Sequence, residues 1–277
     1  ARPDGYHEME MVMQSVSLCD EVTLHLGFPG GVRAESGLRF LPNDKSNLAV
    51  AAALAFRRAT GQTWKDLRIS LTKRIPVCAG TAGGSSDAAA VLRGLNTLTG
   101  AGLSPQALAS IGEEVGSDVP YCVLGGTALA QGRGETLSPL PPLPDCFLVL
   151  CKPRFSISTP ALFRTWDKAK RHLRPDTRGV IAALERGDLV GLAQRMFNVF
   201  EAVLPPHQHR DIEGIKTTLL QAGALGAAMS GSGPTVFGLF SQESAAQKAV
   251  TILQEDYDEV YLTHPLPAHG ASCQIPV

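Results

Sequence analysis

The stretch Pro76-Val77-Cys78-Ala79-Gly80-Thr81-Ala82-Gly83-Gly84-Ser85-Ser86-Asp87 decides how the rest of the chain is read. It follows a strand-like segment, Leu67 to Thr72, and runs straight into a helical one. There Ala88, Val91, Leu92, Leu95 and Leu98 share a face, and Gly100 offers a stop. Residues without side chains let a polyphosphate approach the backbone, whose N–H groups and helix start supply positive potential. Ser85 and Ser86 add hydroxyls for phosphate oxygens or for a bound Mg2+. The loop lacks the Gly-Lys-Ser/Thr ending of a Walker A motif and does not fit Gly-x-Gly-x-x-Gly. The competing reading is a serine-capped helix entered through a flexible turn.

Working outward, three further signals flank this loop. Gly116-Ser117-Asp118-Val119-Pro120, followed by Gly125-Gly126-Thr127-Ala128, sets a carboxylate beside glycine just before an apolar segment. Asp118 is either a turn cap or a catalytic base that orients a substrate hydroxyl toward a phosphoryl donor. Met229-Ser230-Gly231-Ser232-Gly233-Pro234-Thr235 reads either as a tight turn or as a loop closing over a phosphate or substrate. Arg2-Pro3-Asp4-Gly5-Tyr6-His7 is a turn followed by an aromatic ring and an imidazole, which can stack on and hydrogen-bond a base or simply pack an edge strand.

The remaining pattern is mixed. Strand-like alternation also appears at Glu21–Leu26, Thr127–Ala130, Cys146–Cys151, Thr235–Phe240 and Glu259–Thr263. Helical stripes appear at Leu108, Ile111 and Val115 after Ser104-Pro105, and at Leu189–Val203, Ile212–Gln221 and Ala245–Leu253. Without a regular repeat, this predicts an α+β or α/β chain. Ser138 to Pro144 carries four prolines in seven residues and cannot continue a central strand or helix. A domain boundary is expected there, dividing the chain into 1–144 and 145–277; a rigid loop within one domain is the alternative.

Composition excludes several classes. The 277 residues can bury roughly 75% of their unfolded surface without staples. Twenty-five Lys and Arg against 26 Asp and Glu leave a net charge of -1, which argues against nucleic-acid or polybasic membrane binding. The longest nearly unbroken apolar run, Leu48 to Phe56, falls far short of the ~20 residues that span a bilayer. The six cysteines form no Cys-x-x-Cys pair and sit mostly in apolar stretches, suiting buried small hydrophobes in a reducing, cytoplasmic setting. The seven histidines lack ligand spacing, with His207 and His209 in a proline-rich loop, so no structural metal is expected.

Taken in order, Asp4-Gly5-Tyr6-His7, Pro76–Asp87, Gly116–Pro120 and Ser230–Thr235 resemble the GHMP kinase superfamily, over residues 1 to about 265. The early Asp-Gly-Tyr-His resembles the branch that phosphorylates the 2-hydroxyl of a cytidine-diphosphate-linked methylerythritol in the non-mevalonate isoprenoid pathway. The resemblance implies a two-domain α+β fold, the N-terminal domain like ribosomal protein S5 domain 2 and the C-terminal one ferredoxin-like. ATP and a small-molecule substrate would meet in the cleft between them, with Mg2+ as cofactor. Pro76, Val77, Cys78, Ala79, Gly80, Thr81, Ala82, Gly83, Gly84, Ser85 and Ser86 would form the ATP phosphate loop, and Asp118 the base. Lys73 and Asn47 resemble positions near the adenine and ribose. Tyr6 and His7 would hold the cytosine, helped by Thr159, Pro160 and Phe163, while Ser232 and Gly233 would line the cleft from the second domain.

Three departures accompany the resemblance. The family's opening strand of the type Pro-Ala-Lys-x-Asn-Leu, which carries a catalytic Lys, is absent from these residues and is read as truncated rather than lost. Thr81 stands where the family often has a larger apolar residue, and Met13 where some members have an aromatic. The alternatives are a GHMP kinase for homoserine or mevalonate, a nucleotide- or RNA-binding module, and a fragment that binds ATP without turnover.

Overall fold

Alternation builds the strands and caps build the helices in the computed structural model, which describes residues 7–169 and 174–268. The first half runs β1 (Met9–Gln14), β2 (Glu21–Leu26), β3 (Val32–Ser36), α1 (Leu48–Thr60), β4 (Leu67–Thr72), α2 (Gly83–Thr99), α3 (Pro105–Glu113), α4 (Val119–Leu124), β5 (Thr127–Gly132) and β6 (Thr136–Pro139). Its strands form two three-stranded sheets, ordered β1-β5-β6 and β2-β4-β3, and β3 lies parallel to β4. Asn47 caps α1 by accepting from Ala49 N, and Ser104 caps α3 by accepting from Ala107 N, with Pro105 just inside the helix. Gly100, in the left-handed conformation, closes α2 as its sequence predicts.

The apolar run from Leu48 is a helix. Its alanines 49, 52, 53 and 55, with Val50 and Phe56, are buried, and the helix packs on α2, α3 and β3. Gly94 lets α2 approach β2 closely: a Cβ there would fall 2.7 Å from Leu24 Cδ1. Leu98, placed on the buried stripe by its spacing, is exposed instead, because the last turn of α2 runs past the core.

The second half runs β7 (Phe147–Lys152), α5 (Thr159–Lys168), α6 (Thr177–Glu185), α7 (Leu189–Ala193), a 3-10 turn (Val199–Val203), α8 (Pro206–Gln221), β8 (Gly226–Met229), β9 (Val236–Phe240), α9 (Glu243–Leu253) and β10 (Glu259–Thr263). Its antiparallel sheet is ordered β10-β7-β9-β8, with α8 and α9 packed on it. The continuous helix expected over Leu189–Val203 is broken. Helix α7 stops at Ala193, and Asn198 opens the 3-10 turn, accepting from Phe200 N and donating to Met229 O and Gly231 O. His207 and His209 lie in the first turns of α8, behind Pro206, rather than in a loop.

Two features join the halves. Val12, Val16, Leu140 and Leu143 pack against Cys146, Leu148, Leu184 and Leu239 in one shared apolar cluster. After β10 the chain returns, and Val16 bridges Pro265 while Gly125 bridges Ala268. The start of the proline-rich stretch is itself an edge strand, β6, a position where a missing proline N–H costs little. Cys146 and Cys151 are buried as expected, but Cys19 and Cys78 are exposed because both lie on surface loops. No helix of the described residues is long and apolar enough to cross a membrane.

Candidate active site

The Pro76–Ala82 segment leaves β4 and enters α2 through two non-glycine residues in the left-handed region, Cys78 and Ala82, each with φ of 53°. Such residues carry about 1–3 kcal/mol of strain and persist only where the surroundings over-determine them. Ala82 is the cap of α2 and offers it no side-chain hydrogen bond. Ser86 does not cap either, since its hydroxyl turns back to Gly83 O at 2.9 Å. The serine-capped reading therefore fails: Gly83, Gly84, Ser85 and Ser86 form the first turn, Ser86 N donates to Ala82 O at 2.9 Å, and no side chain caps the helix. Thr81 Oγ1 donates to Pro76 O across the loop, filling its polar need locally.

The apex of this loop is fastened to the turn after β8. Ser230 Oγ donates to Gly80 O at 2.8 Å, and Thr235 N donates to Ala79 O at 3.2 Å. Gly80, at φ 73°, sits so close that an added Cβ would lie 2.3 Å from Ser230 O and 2.7 Å from Gly233 N. Ser232 and Gly233 thus sit in the turn that meets the 76–86 loop, and Thr159 Oγ1, opening α5, donates to Ser232 Oγ at 2.8 Å.

From the same helix, Phe163 stacks on His7, with ring centroids 4.5 Å apart and planes 25° from parallel. His7 Nε2 lies 2.7 Å from Asp167 Oδ1, and Phe163 meets Phe200 edge-on. Pro160 is in the first turn of α5 and exposed. Tyr6 lies outside the described residues.

Asp118 occupies the cap position of α4 yet makes no capping bond, so the turn-cap reading does not account for it. Its Oδ1 is 3.7 Å from where a Gly134 Cβ would stand, in the turn between β5 and β6. Burial alone pushes its carboxyl above the usual range. Cys122, one turn into α4, is pushed up to about 12, by burial first and then by the charge of Asp118; Asp87 adds to it more weakly. Cys122 is itself half-buried, on a helix, α4, that packs against α2.

Two expected nucleotide contacts have other engagements. Asn47 caps α1 and donates to Pro42 O, while lining a cavity of about 250 Å³ with Ser36, Leu38, Asn43 and Leu71. Lys73 borders a wider cleft of about 440 Å³ with Leu18, Leu38, Arg74 and Tyr261. Its ammonium, however, is held between Asp20 and Asp87. Sequence reasoning missed Asp20, Asp167 and Asn198; none sits in a motif, and their partners are distant in sequence. Asp87 closes the quoted loop motif, and its buried position was the unread signal.

Residues 47–126 match the GHMP kinases N terminal domain and residues 180–259 the GHMP kinases C terminal domain. The chain is 42% identical over 261 residues to the 4-diphosphocytidyl-2-C-methyl-D-erythritol kinase of Alkaliphilus metalliredigens, covering 94% of this chain and 89% of the relative. It is 44% identical to the kinase of the same name from Enterococcus faecalis, covering 96% and 93%. A crystal structure of 4-(cytidine 5'-diphospho)-2C-methyl-D-erythritol kinase superposes with a TM-score of 0.78 at 30% identity, covering 95% and 92%. A homoserine kinase from Cytophaga hutchinsonii, at 23% identity and a TM-score of 0.75, shares the fold, covering 93% and 89%. The chain is therefore a small-molecule kinase and belongs to the GHMP kinases, in the family of the 4-diphosphocytidyl-2-C-methyl-D-erythritol kinases.

Proposed function

We propose that the chain transfers the γ-phosphoryl group of ATP to the 2-hydroxyl of 4-diphosphocytidyl-2-C-methyl-D-erythritol, giving ADP and the 2-phosphate. Phosphoryl transfer asks a protein for positioning and charge stabilisation more than for covalent chemistry. The uncapped first turn of α2 supports the phosphate-binding part of this reading. Asp118 accepts or orients the proton of the acceptor hydroxyl, an office suited to a carboxylate with no structural bond of its own among the described residues. The nucleoside of ATP is assigned to the cavities bordered by Leu38, with Asn47 and Lys73 in their walls.

Mg2+ fits this arrangement as an ion carried on the nucleotide. Among the described residues no three His, Cys, Asp or Glu side chains converge as a metal cage. Mg2+ held by phosphates and water needs few protein ligands, and Ser85 would supply a hydroxyl for it. The ion would neutralise charge on the phosphate oxygens. We keep 1–144 and 145–277 as the two domains, and the protein as a cytoplasmic one that binds neither nucleic acid nor membrane.

The observation that carries the choice of acceptor is the His7–Phe163 stack, an aromatic platform that homoserine or mevalonate has no ring to use. The test is ADP release by the full-length protein with ATP, Mg2+ and each of the three alcohols. Turnover confined to the cytidyl substrate is expected, and turnover with homoserine or mevalonate would discard the cytosine site. Phe163→Ala is expected to raise KM for the cytidyl substrate about 10-fold, from loss of an aromatic contact worth up to ~1.5 kcal/mol. KM for ATP should stay unchanged, because the platform is remote from the phosphate loop in its role.

A further inference from the structure

We infer that Lys73, clamped between Asp20 and Asp87, is a positioning residue that ties both ends of the phosphate loop to one buried point. The inference rests on the reading of Pro76–Ser86 as the ATP phosphate loop.

The geometry is specific. Lys73 Nζ donates to Asp87 Oδ2 at 2.6 Å and to Asp20 Oδ2. Asp20 uses its other oxygen, Oδ1, to accept from Arg74 N at 2.6 Å and Ile75 N at 2.8 Å. Residues 73–75 lead into the loop, and Asp87 follows its last serine, so one ammonium joins the two ends. The three side chains are only 6%, 2% and 5% exposed, which removes the competition of water and makes each tie directional.

The loop between those ends needs such an anchor. Cys78 and Ala82 hold left-handed conformations that an untethered chain would relax. The contacts of Ala79 and Gly80 with Thr235 and Ser230 fix the apex but not the ends. An ammonium enclosed by two carboxylates is also poorly placed to serve as a nucleotide contact, so Lys73 acts through the loop.

The decisive variant is Asp87→Ala, which leaves Lys73 and Asp20 as a one-to-one pair and so avoids an unpaired buried charge. Lys73→Met would strand two buried carboxylates and is the less informative change. Amide exchange of residues 79–86, measured without nucleotide, is expected to quicken at least ~10-fold in Asp87→Ala, while β7 and β9 keep wild-type protection. With ATP and the cytidyl substrate, kcat should fall by about 10- to 100-fold, since misplacement of about 1 Å costs up to that much. Asp87→Asn, whose Oδ1 still accepts from Lys73, should recover most of both losses.

Wild-type exchange of residues 79–86 in Asp87→Ala would overturn the inference. So would a rise in KM for ATP at unchanged kcat, the mark of a direct nucleotide contact. The exchange measurement needs no turnover. It therefore still decides the role of the clamp if the substrate panel shows the proposed reaction to be wrong.

Discussion

Asp118→Asn is expected to cut turnover at least ~100-fold while ATP binding stays near normal and thermal stability at neutral pH holds or rises. The stability half follows from how the carboxylate is housed. Among the described residues nothing pairs with it, and burial raises its folded pKa above the value it has in the unfolded chain. For such a group the favourable contribution is complete below the unfolded pKa and is lost as pH rises through the folded one. At pH 7 the ionised form is therefore one the fold disfavours, and a neutral asparagine of the same shape relieves that cost. The gap in melting temperature between variant and wild type should close as the pH is lowered. The same shift sets the acidic limb of kcat/KM: the proton-accepting form disappears at a higher pH than an exposed aspartate would allow. A variant that turns over within ~3-fold of wild type would remove Asp118 from the reaction. One that instead melts several degrees lower would make it a structural residue.

How far the sequence leads depends on the range of the interaction. Strands β2, β4 and β10 match their expected segments residue for residue, and in β4 the period-two burial is written into neighbouring positions. Helix α1 was legible only as an apolar run, since an alanine-rich segment buried on most faces has no polar stripe to reveal its period. The 189–203 segment divides into α7, ending at Ala193, and a 3-10 turn capped by Asn198, whose side chain is held 31 and 33 residues away by the Met229 and Gly231 carbonyls. The site divides in the same way. Glycine and serine runs announce the 76–86 loop and the Ser230 turn, because backbone exposure is a composition effect. The partners that hold them are not announced: His7 meets Asp167 across 160 positions, and Lys73 meets Asp20 across 53. Motifs thus name the glycine-rich loops, while their supports emerge only from topology.

Gly80→Ala is expected to lower kcat/KM for ATP by about 100-fold or more and to destabilise the protein by about 2 kcal/mol or more. Two costs coincide at this position. The backbone φ of 73° is one that a side chain with a Cβ rarely adopts. The new methyl would also meet Ser230 O at 2.3 Å, Gly233 N at 2.7 Å and Gly233 O at 3.0 Å. All three are backbone atoms, so no side chain can swing aside, and either the phosphate loop or the Ser230 turn must move. Movement breaks the Ser230 Oγ to Gly80 O and Thr235 N to Ala79 O bonds, which are the ties between the loop and the second half of the chain. Gly214→Ala is the matching control: it lies within α8 with nothing within 4 Å of its Cβ. An alanine there should leave turnover unchanged and raise stability by about 0.5–1 kcal/mol, the usual gain over glycine inside a helix. Kinetics for ATP and the melting temperature of both variants decide the matter. If Gly80→Ala keeps wild-type KM and kcat, the close approach of loop and turn is dispensable for the reaction. If it loses ATP turnover while Gly214→Ala does not, the contact between the two glycine-rich segments is what holds the phosphates in line.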